Sequence, residues 1–264
     1  MNQITADTPA ETLGYDPDRY KVCRPLGPDG GGPWEIDLGK VHAWLIADDA
    51  GLTLIDAGYP RQGKRICAAI AETGFALSDL RHVVVTHAHP DHTGSLAEIR
   101  RRAPGARVYA HPLEAALMAA GRTKRPELRP APGVVHRALF EAFVRRSPHA
   151  VEPVEADVTI ADGDELPIAG GLRVVHTPGH AAGHVALHWP AGAGGRGVLF
   201  VGDAMMNLVG LDYAICYEDF DAARASVAKL AALDFDAAVF GHGRAITSDA
   251  SSVFRRFASR RGLP

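Results

Sequence analysis

Cysteine is scarce and poorly placed for cross-linking. The 264-residue chain holds three, Cys23, Cys67 and Cys216, odd in number, widely spaced and without a CxxC pair. That argues against a disulfide framework and for a reducing compartment, the cytoplasm. Long apolar runs are missing too: nothing is long enough to span a bilayer, and the opening MNQITADTPAETLGYDPDRY lacks the apolar centre of a signal peptide. The expectation is a soluble, cytoplasmic chain with no membrane partner. Nor is there surplus positive charge. Twenty-eight Lys and Arg against 31 Asp and Glu leave a formal charge of −3, which argues against a nucleic-acid partner held by a globally basic surface. Low-complexity tracts and short repeats are absent. What remains is a globular composition, 47 % apolar and 22 % charged.

Residues 1–32 read as an N-terminal arm ending in the turn-rich GPDGGGP, and 33–264 as one domain. VHAWLIAD (41–48) and LTLIDAG (52–58) form an expected hairpin about Asp48–Gly51. Residues 60–73 have helical spacing, HVVVTH (82–87) reads as a buried strand, and a helix is expected from near Asp91 to Arg102. The stretch 112–148 reads as a helical insert broken by Pro126, Pro130 and Pro132. Beyond it, DVTI, ELPI, LRVVHT, HVALHW and GVLFVGD have β character, followed by a helix at 220–233, the strand AAVFGH and a last helix near 248–260. Strands followed by helices in both halves suggest an α/β domain, two packed sheets with helices outside in four layers.

The segment THAHPDH places His87, His89, Asp91 and His92 within six residues. His87 and His89 lie two apart in chain leaving a strand, so their side chains can point the same way. Asp91 and His92 follow at a helix start and can turn toward a second ion, and Pro90 stiffens the turn between the pairs. Imidazole and carboxylate together suit zinc. Three more candidates, His180, Asp203 and His242, each follow an apolar strand and adjoin a glycine (Gly179, Gly202, Gly241), which permits a sharp turn.

Taken together, HxHxDH, TPGH, VGD and FGHG resemble the metallo-β-lactamase superfamily over about residues 35–245, and IDAG with Asp56 matches its first motif. The resemblance implies the αββα sandwich with a dinuclear metal site at one edge. It implies that His87, His89 and His180 bind one metal, Asp91, His92 and His242 the other, and that Asp203 bridges them. It also places Asp56 behind the site, orienting the ligands, and His184 in a supporting role. The activity implied is a dinuclear zinc hydrolase, two Zn2+ per chain, cleaving an ester, lactone, thioester or related acyl bond of a small molecule through a metal-bridging hydroxide. Asp91 would orient that hydroxide, and Asp203 or Asp91 would protonate the leaving group.

Departures from particular members narrow the choice. Asp203 stands where zinc β-lactamases commonly carry Cys or lack the acid, which disfavours antibiotic hydrolysis. His89 replaces the Glu of flavodiiron-type members. Only 22 residues follow His242, too few for the glutathione-binding domain of glyoxalase II. Acyl-homoserine lactonases resemble the chain in size and metal set, but Met206 stands where some carry a tyrosine, with Tyr213 as an alternative. The second class is a mononuclear iron persulfide dioxygenase-like oxidoreductase, with one Fe2+ held by two His and one Asp. For the substrate, Met205 and Met206 are candidates to line an apolar pocket. The basic residues of 121–146, Arg122, Lys124, Arg125, Arg129, Arg137, Arg145 and Arg146, form either a solvated face or a lid that favours anions.

Overall fold

The structure, a computed structural model, describes residues 23–26, 32–123, 128–145, 147, 150–190 and 195–263. Period-two alternation of buried side chains builds two sheets face to face. In strand His42–Asp48, Trp44 and Ile46 enter the core between the sheets, while Ala43 and Leu45 enter a second core outside. The first sheet has seven strands in the order Cys23–Pro25, Trp34–Asp37, His42–Asp48, Gly51–Ile55, Leu80–Val84, Arg107–Ala110 and Val158–Thr159. Its first four are mutually antiparallel and the rest parallel. The second orders Ala237–Val239, Val198–Phe200, Val185–Trp189, Leu172–His176 and Glu165–Leu166. Trp44, Ile46 and Val84 meet Val174, Leu187 and Phe200 between them.

Helices Gly63–Glu72, Leu96–Arg102 and Pro112–Ala119 bury Ile66, Ile70, Ile99 and Leu117 on the outer face of the first sheet. Helices Phe220–Ala231 and Ala250–Arg260 bury Val227, Leu230, Phe254 and Phe257 on the second. These are the four layers of an αββα sandwich. The expected hairpin is present, closed by Asp48 Oδ1 accepting from the N–H groups of Ala50 and Gly51 at 2.8 and 3.0 Å.

Three expectations change. The helix expected from Asp91 to Arg102 is two, Pro90–Thr93 and Leu96–Arg102. They part where Gly94 packs on Pro60 so closely that a Cβ would overlap it. Residues 23–25, expected within an arm, form the edge strand paired with 34–36; the rest of the arm, apart from 26 and 32, lies outside the described residues. The insert is less helical than expected. Besides Pro112–Ala119 it holds Val134–Leu139 and the wider coil Phe140–Val144, while Arg129–Pro130 pairs with Cys216–Tyr217. Pro132 and Gly133, the latter with φ 116°, interrupt the helical path. Lys124, Arg125, Pro126, Glu127 and Arg146 lie outside the described residues. Among those described, no helix is long and apolar enough to cross a membrane.

Candidate metal centre

Strands Gly51–Ile55, Leu80–Val84, Leu172–His176, Val198–Phe200 and Ala237–Val239 each lead into a loop carrying one or more of the singled-out residues. The loops are stitched across the sheets. Val185 N–H donates to Thr86 O at 3.0 Å, His42 N–H to Gly241 O at 2.8 Å, and Gly241 N–H to Gly202 O at 3.1 Å. Close approach there demands glycine: a Cβ at Gly202 (φ 55°) would lie 2.6 Å from His184 Nε2, and one at Gly241 would overlap Asp203 and His92.

His87 Nε2, His89 Nδ1 and His180 Nε2 form a buried triangle with edges of 3.0, 2.9 and 3.2 Å. A tetrahedral zinc with bonds of about 2.0–2.1 Å sets its ligands about 3.3 Å apart. Opposite, His242 Nε2 lies 3.2 Å from Asp91 Oδ2, and His92 Nε2 lies 3.9 Å from that same oxygen. Asp203 stands between: its Oδ2 is 3.2 Å from His242 Nε2 and 3.6 Å from His180 Nε2, and its Oδ1 is 3.5 Å from His92 Nε2. His92 Nε2 and Asp203 Oδ1 are buried, and neither has a hydrogen-bond partner among the described residues. Buried polar atoms are rarely left so. Orphaned donor atoms converging at ligand spacing fit two divalent cations, and these residues could hold them.

The far nitrogen of four imidazoles is fixed in turn. His92 Nδ1 meets Asp56 Oδ2 at 2.8 Å, His180 Nδ1 meets Cys216 O at 2.7 Å, and His242 Nδ1 meets Lys40 O at 2.6 Å. His87 Nδ1 lies 3.0 Å from Thr86 Oγ1, whose hydroxyl donates to Asp56 Oδ2 at 2.8 Å. Donation from Nδ1 orients each ring with Nε2 facing the cluster. Asp56 adopts φ 63°, a left-handed conformation that costs a non-glycine residue energy and turns its carboxylate to both Thr86 and His92. His184 Nε2 accepts from the Asp203 N–H at 2.9 Å, while its Nδ1 meets Thr177 Oγ1 at 2.8 Å. Glu114 is buried and joins two loops, accepting from Ala88 N–H at one oxygen and Gly183 N–H at the other, both at 2.9 Å.

Burial keeps His87, His89 and His180 neutral, with His89 lowered to about 3. Burial also opposes charge on His92 and His242, but the carboxylates of Asp203 and Asp91, joined at His92 by Asp56, outweigh it. His242 is raised to about 10 and His92 lies well above the usual histidine range. Conversely, burial works against ionising Asp91 and Asp203, yet the neighbouring imidazoles of His92 and His242 hold both below the carboxylate range.

The sequence profile of the metallo-beta-lactamase superfamily matches residues 36–242. The chain belongs to that superfamily. It is 28 % identical over 238 residues to the probable metallo-hydrolase YflN of Bacillus subtilis, covering 81 % of this chain and 86 % of that one. It is 26 % identical over 234 residues to thioesterase pkgB of Emericella nidulans, covering 88 % of this chain and 54 % of pkgB. Among solved structures it is similar to BJP-1, a subclass B3 metallo-beta-lactamase of Bradyrhizobium japonicum, with 26 % identity, a TM-score of 0.60 and coverage of 80 % and 75 % of the two chains. Against several curated relatives the chain spans only 54 to 63 % of their length.

Within this superfamily fold, a cavity of about 1070 Å³ opens over the cluster, lined by His89, Asp91, His180, Asp203 and His242. Met206 lines it, but Met205 does not: it is fully buried in the core outside the second sheet. Tyr213 does not line it either. Its ring packs 5.0 Å from Phe220 and 5.3 Å from Phe257, because the hairpin Met205–Asn207/Leu211–Tyr213 turns it toward the outer helices. The insert does cover the cavity, but through Leu128, Leu139, Ala142, Phe143 and Val144. Arg122, Arg129, Arg137 and Arg145 are not in the lining, and Arg145 pairs with Glu141 on the exposed side. Thr86, Glu114, Tyr59, Lys40 and Arg244 escaped the sequence reading. Only Glu114, an acid in the first turn after Pro112, had a local signal, and helix capping explains that equally well.

Proposed function

We propose that the chain is a dinuclear zinc hydrolase acting on an ester, lactone, thioester or related acyl bond of a small molecule. The observation that carries this reading is Asp203, in reach of both imidazole sets, with its Oδ1 and His92 Nε2 buried and unpartnered. His87, His89 and His180 would hold one ion, Asp91, His92 and His242 the other, with Asp203 shared. Zinc bound there would supply Lewis acidity toward the acyl carbonyl and a water activated near neutral pH. Asp91, ionised and beside His242 at the cavity floor, orients the attacking water by accepting its hydrogen bond. Asp91 or Asp203 takes up the proton that the attacking water gives up and passes it to the leaving group. Asp56 and His184 act by position, the first through His92 and the second through the Asp203 backbone.

A persulfide dioxygenase-like centre would need two His and one Asp for one iron; the second complete ligand set favours two ions. Matched relatives carry the names thioesterase and hydroxyacylglutathione hydrolase, which agrees with acyl cleavage. The buried Cys67 thiol, outside any disulfide, agrees with a cytoplasmic setting. The test is metal quantification of the purified chain, with a panel of lactones, thioesters, aryl esters and β-lactams. About two zinc ions per chain and turnover of an ester or thioester are expected. One iron per chain with oxygen-dependent turnover of a persulfide would overturn the proposal.

A further inference from the structure

The cavity wall is uneven. On the lid side it is apolar, with Leu139 and Phe143 of the insert and Met206 and Leu208 of the neighbouring hairpin. Among the described lining residues only two are permanently cationic, Lys40 and Arg244. Both are tied to His242. The Lys40 carbonyl accepts from His242 Nδ1, and Arg244 follows His242 by two residues, a span of at most about 7 Å.

The backbone under Arg244 is clamped. Its N–H donates to Asn207 O at 2.9 Å, Asn207 Nδ2 donates to its carbonyl at 2.7 Å, and Asn207 N–H donates to His242 O at 3.1 Å. No described carboxylate pairs with its guanidinium, although arginines elsewhere, such as Arg100 and Arg196, do find acids. Lys40 Nζ likewise sits over an aromatic ring, 4.9 Å from the centroid of Phe143. Glu35, an acid of the lining outside the cluster, lies 3.4 Å from His42 Nδ1. Arg244 lines the cavity on a fixed backbone and pairs with no described carboxylate, and a guanidinium so held offers a fork that matches a carboxylate or phosphate.

We propose that Arg244 and Lys40 form an oxyanion-binding subsite that selects acyl substrates bearing a carboxylate or phosphate, with the apolar part of the substrate under the lid. This rests on the hydrolase reading and adds the substrate class. The anionic group lies on the His242 side of the centre, a short acyl chain away from the bond to be cut.

The experiment uses the zinc-loaded full chain and its R244Q and K40Q forms. Aryl thioesters of equal length end in a carboxylate, a phosphate or a neutral methyl amide. An ionic hydrogen bond is worth about ten- to a hundredfold in affinity, so wild type should prefer at least one anionic thioester by about tenfold or more in kcat/KM. R244Q should erase most of that ratio through KM, K40Q less, and raised salt should narrow it. The two anionic thioesters show which oxyanion fits. A wild type that treats the neutral thioester equally, or an R244Q ratio unchanged from wild type, overturns the subsite. Equilibrium binding of 4-phenylbutyrate and its methyl amide reads the subsite without turnover. Tighter binding of the acid, lost in R244Q, with no thioester cleaved, would sink the hydrolase reading alone. A preference kept in R244Q assigns the carboxylate to the metals and overturns the subsite.

Discussion

The two halves of the cluster touch in space, with the His87 and His92 ring centroids 4.1 Å apart, yet they differ in charge. His87, His89 and His180 are imidazoles kept neutral by burial. Asp91, His92 and His242, with Asp203, form a set in which carboxylates hold imidazoles protonated. The same residue type thus does different work according to its neighbours. The first half can accept a cation at neutral pH without releasing a proton from its histidines; the second must release protons from His92 and His242.

The change expected to break this comparison most severely is Asp203→Asn. Asp203 touches both halves, so the neutral amide leaves two cations facing one another with less compensation. Turnover should fall by about 10²–10³-fold or more, and bound zinc should drop toward a single ion, read by elemental analysis. Full zinc content with a near-native rate would end the bridging role.

Next in size is a contrast of single truncations. His89→Ala removes one of three nitrogens from the neutral half and should empty that half. His242→Ala should spare it, keeping about one ion per chain. Both should lose most activity, but their zinc contents should differ; equal content in the two variants would show that the halves do not fill independently.

A smaller effect is expected at Glu114, which ties the His89 loop to the loop after His180 and touches nothing in the Asp91 half through these bonds. Glu114→Gln places an amide N–H against a backbone N–H. It should cost about 1–3 kcal/mol in urea unfolding of the metal-free chain and weaken the first ion more than the second. Stability unchanged within error would remove Glu114 from this account.

The finest test is pH. His242 is raised to about 10, so a cation competes with its proton at pH 7, and apparent affinity for the second ion should climb as pH rises toward that value. His89 is lowered to about 3, so affinity for the first ion should be nearly flat across pH 6–8. Calorimetry in buffers of different ionisation enthalpy counts the protons released. The linkage also acts on folding of the metal-free chain. The raised His242 contributes stability in full below its unfolded value of about 6.5 and loses it as pH rises through about 10. The depressed Asp91 and Asp203 contribute above about 3.8 and lose it as pH falls. Proton release that is equal for the two ions would contradict the charge asymmetry.

Much of this was legible along the chain. HxHxDH puts scarce ligand types at a spacing that few structural needs would produce, and each remaining candidate follows an apolar strand beside a glycine. The two apolar runs about Asp48–Gly51 likewise announced a hairpin, and His42–Asp48 pairs with Gly51–Ile55. Other residues were silent for a physical reason. Thr86 is an ordinary threonine until its hydroxyl stands between Asp56 and His87. Glu114 is an ordinary helix-start acid until two loops from different sheets bring their N–H groups to it. The described cations of the insert, Arg122, Arg129, Arg137 and Arg145, lie outside the cavity lining, whereas its apolar residues Leu139 and Phe143 line it, because an amphipathic segment buries its apolar side and leaves charge in water.

The sequence by itself determined the layers, the strand ends and the kinds of ligand, since these depend on local periodicity and on side-chain chemistry, which are written residue by residue. Tertiary structure alone decided which imidazoles are neutral and which protonated, which methionine of the pair lines the cavity, and that Lys40 and Arg244 flank His242. Those properties depend on burial and on distances between segments as far apart as His42 and Gly241. Desolvation and Coulomb energies follow from positions in space, and sequence separation does not set them.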